Sequence, residues 1–207
     1  LVELNFLGIE NVLALRGDPP NGEKRFVPVK GGYEHSSELV SQINDLNMGR
    51  YLDQNLQNAR KTHFCIGVAG YPEKHAEAPN LERDIEMLKH KVDSGAHYIV
   101  TQMFFDNAVY YRFVDACRKA GITVPIIPGL KPIGSKRDLA TIPQTFHVDF
   151  PSELVEQLTK ATKLAEIHEI GVHWCTLQTK DLLAHGAPSV HFYTLGKAES
   201  VASVVRS

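Results

Sequence analysis

The sequence predicts an α/β fold in which helices cover a parallel β-sheet. Five short, mostly apolar runs have the length of strands, and helical patterns separate them along the chain. These runs occupy residues 11–15, 64–69, 97–103, 123–128 and 189–193. Strands that are apolar on both faces and alternate with helices are typical of parallel sheets with helices packed on them.

The first helical patterns are bounded by recognisable capping residues. Residues 1–7 have the pattern of the last turns of a helix, and Gly8 closes it. In 81–94, apolar residues recur at helical spacing, with Asn80 placed to cap the start and Gly95 to end the helix. Both segments are therefore predicted to be helical.

Two further helical regions follow. One helix is predicted to open at Asp106 or Asn107 and to stop before Gly121, with its inward face formed by Val109, Phe113 and Cys117. Residues 151–187 contain the patterns of two helices and no strand, so we expect an extra helical segment before the last strand.

Five visible strands leave two architectures open. A doubly wound sheet has a comparable number of strands, and so does a (βα)8 barrel that lacks its first three or so βα units. The helical opening of the chain favours the incomplete barrel. Composition and spacing alone do not choose between the two architectures.

Composition narrows the class of ligand. The 207 residues are 43% hydrophobic and carry a net charge of -2, with no basic cluster of the kind that binds nucleic acid. No apolar run reaches the roughly 18 residues of a membrane span. The three cysteines and ten histidines lack the spacing of a zinc or redox site. We expect a cytoplasmic protein with reduced thiols, no metal and a small-molecule ligand.

Polar residues follow every predicted strand, at the edge where α/β proteins carry their chemistry. After the first strand comes Arg16-Gly17-Asp18, the later strand ends add aromatic rings, an amide and a cation, and the predicted helix 81–94 adds a further cation. These further residues are Tyr71, Gln102, Phe104, Phe105, Lys91 and Lys197. Such a set suits a cofactor with ring and phosphate parts. The sequence has no dinucleotide-binding glycine motif, P-loop or nucleophile elbow.

Six stretches in the order of the chain resemble the methylenetetrahydrofolate reductase family, bacterial type, over nearly the whole sequence. They are residues 14–19, 68–73 with His75, 91–96, 101–106, 127–129 and 191–195. The resemblance selects the barrel over the doubly wound sheet, so residues 1–207 are expected to form one catalytic (βα)8 barrel domain that is incomplete at its N-terminus. It also implies a flavoprotein that uses NAD(P)H, with NADH the expected donor, to reduce bound FAD. FAD then passes hydride to 5,10-methylenetetrahydrofolate, giving 5-methyltetrahydrofolate for one-carbon and methionine metabolism. It also implies a homo-oligomer.

The resemblance assigns roles to individual residues. Asp18 is the expected catalytic residue, since its carboxylate faces both flavin and folate and would stabilise the cation formed when the methylene bridge opens. Gln102 and Lys197 are expected to bind folate, and Gln102 also nicotinamide. The residues expected to contact FAD, besides Asp18, are Arg16, Gly17, His35, Ser36, Tyr71, His75, Ala78, Asp84, Met87, His90 and Lys91.

Departures from the family pattern keep a second function open. His35-Ser36 stands where Tyr-Ala is common, and Lys197 replaces an Arg, which alone can form a bidentate fork. The family's general-acid Glu, in a Phe-Glu-Phe-Phe-Pro-Pro-like segment, is absent from these 207 residues. The alternative is a flavin-binding fragment or assembly partner without turnover.

Overall fold

A computed structural model describes residues 1–17, 19, 26–196 and 198–207. The strands are β1 (Asn11–Ala14), β2 (Cys65–Gly70), β3 (Tyr98–Met103), β4 (Ile126–Leu130) and β5 (His191–Phe192). The helices are α1 (Val2–Phe6), α2 (Ser36–Asn47), α3 (Leu81–Asp93), α4 (Asn107–Lys119), α5 (Asp138–Phe146), α6 (Ser152–Lys160), α7 (Leu164–Ala184) and α8 (Glu199–Arg206).

The described strands form a sheet with the order β1-β2-β3-β4-β5. β1 pairs with β2 in parallel, with Asn11 opposite Cys65, and β4 pairs with β5 in parallel, with Gly129 opposite His191. Doubly wound sheets reverse their strand order at a switch point, whereas the successive units of a (βα)8 barrel do not. The α/β prediction is confirmed, and the consecutive order favours the barrel over the doubly wound sheet.

The fourth strand lies later in the chain than the sequence predicted. The predicted run 123–128 stopped at Pro128, but β4 spans Ile126–Leu130 and continues through that proline. The backbone N–H of Gly129 donates to Thr101 Oγ1 at 2.9 Å. A Cβ at Gly129 would overlap the Thr101 carbonyl oxygen and approach the Tyr193 ring, so only glycine fits there.

Helix capping follows the sequence prediction closely. Asn80 Oδ1 accepts the backbone N–H of Arg83 at 2.8 Å ahead of α3, and Asp106 Oδ1 accepts that of Ala108 at 2.9 Å ahead of α4. These side chains satisfy N–H groups that a helix start leaves unpaired. The inward face of α4 differs in one position, because Tyr110 rather than Val109 is buried beside Phe113 and Cys117.

The described residues divide into two compact units. The first comprises Leu1–Ala69 and Glu86–Ile99, and the second comprises Gly70–Ile85 and Val100–Ser207, apart from the undescribed positions. In the first unit, α2 buries Val40, Ile43 and Leu46 along one side, while β2 buries Ile66 and Val68. Asn47 joins α2 to the segment before β2, since its Nδ2 donates to the Phe64 carbonyl at 2.9 Å.

The second unit has its own apolar core around the extra helical segment. Leu154 and Leu158 of α6 and Ile167 of α7 are buried together with Met103 and Phe105. A Cβ at Gly171 would overlap the backbone of Ile133, so α7 lies directly against the segment after β4. The predicted extra helices before the last strand are thus α6 and α7. Among the described residues, no helix is long and apolar enough to cross a bilayer.

Candidate functional site

The C-terminal end of β1 borders a small cavity in the first unit. Its volume is about 190 Å³, and its lining includes four residues expected from the sequence to bind cofactor: Arg16, Gly17, His35 and Ser36. Phe26 and Tyr33 contribute aromatic rings to the same lining. The guanidinium carbon of Arg16 lies 5.3 Å from the centre of the Phe26 ring, a distance typical of a cation–π contact.

The first turn of α2 forms one wall of this cavity. α2 begins at Ser36, directly after His35 in extended conformation. Glu38 Oε2 accepts the backbone N–H groups of Glu34 and His35 at 2.9 and 2.8 Å, which fixes the entry into the helix. The helix start and Arg16 both favour a negatively charged group, since the N-terminal end of the helix dipole is positive.

Lys91 projects from α3 to the end of β2 within the first unit. Its Nζ donates to the backbone carbonyl of Ala69 at 3.1 Å, and its side chain is half-buried. The other two expected cofactor residues on this part of α3, Met87 and His90, are exposed. Lys91 therefore places a cation beside the end of β2. No such contact is seen for the exposed Met87 and His90 in the described part of the chain.

In the second unit, the loop after β2 gathers four further expected residues: Tyr71, His75, Ala78 and Asp84. The rings of Tyr71 and His75 meet edge to face, with centres 4.6 Å apart. Asp84 Oδ2 accepts the backbone N–H of His75 at 2.8 Å, and the His75 carbonyl accepts the N–H of Ala78 at 3.0 Å. These contacts place the four residues together, and the Glu77 N–H, which donates to His75 Nδ1 at 3.1 Å, helps to orient the His75 ring.

Gln102 lies within β3 and is half-buried. Its Oε1 accepts the backbone N–H of Met103 at 2.9 Å. This bond to the amide oxygen orients the side chain, and the amide nitrogen has two N–H groups that can donate. Gln102 therefore has both a defined orientation and donor groups at the end of the strand.

Residues of α7 that sequence reasoning did not assign support the strand end after Gln102. Trp174 Nε1 donates to the Phe105 carbonyl at 3.0 Å, and Gln178 Nε2 donates to the Phe104 carbonyl at 3.3 Å. Asp181 accepts the Tyr111 hydroxyl at 2.6 Å, a bond that helps to hold the pKa of Asp181 below its usual range. Because these partners are about 70 residues apart in sequence, no local pattern indicates them.

Glu73 is another side chain to which the sequence analysis assigned no role. It follows Tyr71 in the loop after β2, and its Oε2 accepts the backbone N–H of Asp149 at 2.8 Å. Burial, reinforced by the nearby charges of Asp149 and Asp106, raises the pKa of Glu73 to about 7. A carboxyl group that titrates near neutral pH therefore lies in the loop that carries Tyr71 and His75.

The catalytic candidate Asp18 and the folate-binding candidate Lys197 lie outside the described residues. Within the part of the chain that is described, no group of three or more His, Cys, Asp or Glu side chains has the geometry to hold a metal ion. All three cysteines are free thiols, and burial raises the pKa of Cys117 and of Cys175 to about 12.

The family model described as methylenetetrahydrofolate reductase matches residues 1–207, the entire chain. This chain belongs to the methylenetetrahydrofolate reductase family. The motif stretches that carried the sequence resemblance all lie within the matched region. The family assignment made from sequence is therefore confirmed.

Curated relatives from distant organisms agree with this family. The chain is 38% identical over 208 residues to methylenetetrahydrofolate reductase (NADH) 1 of Arabidopsis thaliana, covering 96% of the chain and 33% of the relative. It is 33% identical over 193 residues to 5,10-methylenetetrahydrofolate reductase of Escherichia coli, covering 93% and 58%. A probable NADPH enzyme of Caenorhabditis elegans is 32% identical over 209 residues, covering 100% and 29%.

The chain thus spans about a third of the plant relative and 58% of the bacterial one. Among solved structures, an uncharacterized protein from Clostridium thermocellum that binds two copies of 5-methyl-5,6,7,8-tetrahydrofolic acid aligns with a TM-score of 0.46 and 20% identity. That alignment covers 69% of this chain and 52% of the other.

Proposed function

We propose that this chain is the part of a flavin-dependent oxidoreductase that reduces 5,10-methylenetetrahydrofolate to 5-methyltetrahydrofolate, with FAD as cofactor and NAD(P)H as donor. NADH is the expected donor. The observation that carries the proposal is the match of the family model to all 207 residues, which includes every motif stretch named above. The proposal extends to a cytoplasmic homo-oligomer with a single barrel domain.

The cavity at the end of β1 supports FAD as the cofactor. Arg16 and the first turn of α2 provide positive charge and N–H donors suited to a phosphate, and Phe26 and Tyr33 provide ring faces. At about 190 Å³ the cavity is smaller than the roughly 300–1,000 Å³ typical of drug-sized ligands, so it suits one part of FAD. The charge, N–H donors and aromatic rings of the cavity lining therefore fit a part of FAD.

The proposed FAD ligands also include residues outside that cavity. Those outside it are Met87, His90 and Lys91 in the first unit, and Tyr71, His75, Ala78 and Asp84 in the second; Gly17, His35 and Ser36 belong to the cavity lining itself. Lys91 is suited to a phosphate because its ammonium group already lies at a strand end, 3.1 Å from the Ala69 carbonyl. Tyr71 and His75 present rings whose relative orientation is fixed by their edge-to-face contact.

The roles of the remaining residues follow from their chemistry. When bound, FAD supplies hydride transfer between nicotinamide and folate. The Asp18 carboxylate would stabilise the cation that develops on the folate as its methylene bridge opens. Gln102, oriented by the Met103 N–H, would donate its amide hydrogens to a pterin edge or to nicotinamide. The Lys197 ammonium group is suited to the negatively charged part of the folate.

The two half-reactions test this function on the purified, FAD-loaded protein. NADH is expected to bleach the flavin absorbance, and 5,10-methylenetetrahydrofolate is expected to restore it with formation of 5-methyltetrahydrofolate. Replacing Asp18 by Asn should slow the folate step by about 100-fold, because it removes the charge that stabilises the cation. FAD affinity should change much less.

The matched control is Asp115→Asn, which changes an exposed carboxylate on α4. It should leave both half-reactions as in the wild type. Failure of NADH to reduce bound flavin, or of the folate to reoxidise it, would contradict the reductase function. Equal folate-step rates in Asp18→Asn and wild type would remove the role given to Asp18.

A further inference from the structure

The carboxyl group of Glu73 connects two segments that are far apart in sequence. Glu73 lies in the loop between β2 and α3, and the N–H that it accepts belongs to Asp149, in the connection between α5 and α6. The bond is 2.8 Å long and joins residues 76 positions apart. Phe150, the next residue, packs its ring against Phe105 with centres 4.3 Å apart, which anchors this connection in the core of the second unit.

The β2–α3 loop, which carries Glu73, is held by hydrogen bonds within the loop and to the start of α3. Lys74, the residue after Glu73, has a φ of 115°, a backbone conformation that is costly for a residue with a Cβ. Lys74 Nζ donates to the Ala78 carbonyl at 2.7 Å, and the His75 N–H donates to Asp84 at 2.8 Å. A strained conformation persists only where surrounding contacts hold it. The Glu73 bond is one such contact, directly adjacent to the strained residue.

We propose that Glu73 is a positioning residue whose carboxyl group holds the β2–α3 loop, and with it Tyr71 and His75, against the connection between α5 and α6. The proposal rests on the proposed function in one respect, namely that Tyr71 and His75 contact FAD. Glu73 itself is not assigned a contact with cofactor or substrate. Its effect on FAD binding would be exerted through the position of the two rings.

The charges around Glu73 make this contact sensitive to pH. Asp149 on the α5–α6 connection and Asp106 at the start of α4 both disfavour the ionised carboxylate, as does burial, whereas the Asp149 N–H favours it. Burial is the largest of these effects, and the pKa of Glu73 rises to about 7. The positioned loop therefore favours the neutral carboxyl, and raising the pH from about 4.5 to about 7 should weaken the hold on the loop.

The test compares Glu73→Ala and Glu73→Gln with the wild-type protein. Hydrogen exchange read by mass spectrometry reports on the loop 71–78 and the connection 147–151, and FAD titration reports on affinity. In Glu73→Ala, both segments should exchange faster, and the FAD dissociation constant should rise about tenfold, the equivalent of one lost hydrogen bond. Glu73→Gln keeps an oxygen acceptor and should restore both properties towards wild type.

A pH series adds a readout that a merely structural residue would not change. Wild-type FAD affinity should fall as the pH rises from about 4.5 to about 7 and then level off, whereas Glu73→Gln, which cannot ionise, should show a flatter profile. Glu82→Ala, which removes an exposed carboxylate from the first turn of α3, is the matched control and should behave as wild type. If Glu73→Ala does not fold, the Gln variant and the pH series decide the question.

Distinct outcomes overturn the two proposals. Unchanged exchange in both segments of Glu73→Ala would show that Glu73 does not hold the loop. Faster exchange with unchanged FAD affinity would reduce Glu73 to a structural residue, and so would identical pH profiles in wild type and Glu73→Gln. A wild-type protein that binds no FAD would instead contradict the proposed function, while the exchange data would still decide whether Glu73 holds the loop.

Discussion

At the scale of single residues, burial changes the chemistry of Glu73. Its pKa is raised from 4.5 to about 7, mainly because burial disfavours the charge. The sequence alone does not indicate this raised pKa, because the partner Asp149 is 76 positions away and an isolated Glu in a loop is usually solvated. By contrast, the caps Asn80 and Asp106 were predictable because a cap and its helix are adjacent in sequence.

The raised pKa of Glu73 predicts a dependence of stability on pH. The folded protein binds more protons than the unfolded chain between about pH 4.5 and 7, so the free energy of unfolding should fall as the pH rises through that window. Glu73→Gln should remove this decline and be more stable than wild type at about pH 8. Because Glu73 is partly exposed to solvent, we expect about 1 kcal/mol rather than the full linkage value.

Urea unfolding at about pH 5 and about pH 8 measures this effect directly. Glu82→Gln, which changes an exposed carboxylate, serves as the control and should follow the wild type at both values. A wild-type protein whose difference between the two pH values equals that of Glu73→Gln would show that Glu73 titrates normally.

At the scale of elements, helices with a clear apolar stripe and capping residues could be located from the sequence, whereas helices with weaker patterns could not. α3 and α4 were predicted because each combines an apolar stripe with caps, and α6 and α7 from apolar spacing in 151–187. No bounds were predicted for α2, α5 and α8, although helical patterns were expected between the strands. α5 contains Pro143, which usually marks a helix end, and α2 has only a short stripe through Val40, Ile43 and Leu46. The predicted end of β4 was wrong for a similar reason. Pro128 was expected to end the strand, but it lies inside it.

In the candidate site, too, local features could be predicted from the sequence and long-range contacts could not. The sequence identified residues that lie at strand ends, and the structure groups Arg16, Gly17, His35 and Ser36 around one cavity. It did not identify the hydrogen bonds from α7 to the carbonyls after β3, because these contacts depend on tertiary packing. The grouping of these four residues therefore agrees with the sequence analysis, whereas the side chains of α7 that bond to the backbone after β3 could not be predicted from sequence.

The contact between α7 and the end of β3 gives a prediction for Gln178. This buried side chain donates to the Phe104 carbonyl at 3.3 Å and to Asn107 Oδ1 at 3.1 Å. Gln178→Leu would leave both acceptors without that donor, so we expect a loss of about 2 kcal/mol in the free energy of unfolding. Faster hydrogen exchange in 102–107 should accompany it.

Gln144→Leu on α5, where the side chain is exposed, is the control and should stay within about 0.5 kcal/mol of wild type. Chemical unfolding gives the comparison. Equal free energies of unfolding in Gln178→Leu and Gln144→Leu would mean that the α7 contact contributes nothing to the position of the strand end.

At the scale of the whole molecule, the consecutive strand order and the family match lead to the same conclusion. The order β1-β2-β3-β4-β5 among the described strands is that of successive βα units, and the family model covers all 207 residues. Sequence alone left the barrel and the doubly wound sheet open, because strand order depends on pairing between distant segments. The family, in contrast, was readable from six short stretches in the correct order.

The central claim is that this chain forms a flavin site, and the most direct measurement is the visible absorbance spectrum of the purified protein, followed by titration with FAD. We expect flavin absorbance that corresponds to about one FAD per chain, with the released chromophore identified as FAD by its mass. A protein that is colourless as purified and takes up no FAD on titration would contradict the claim.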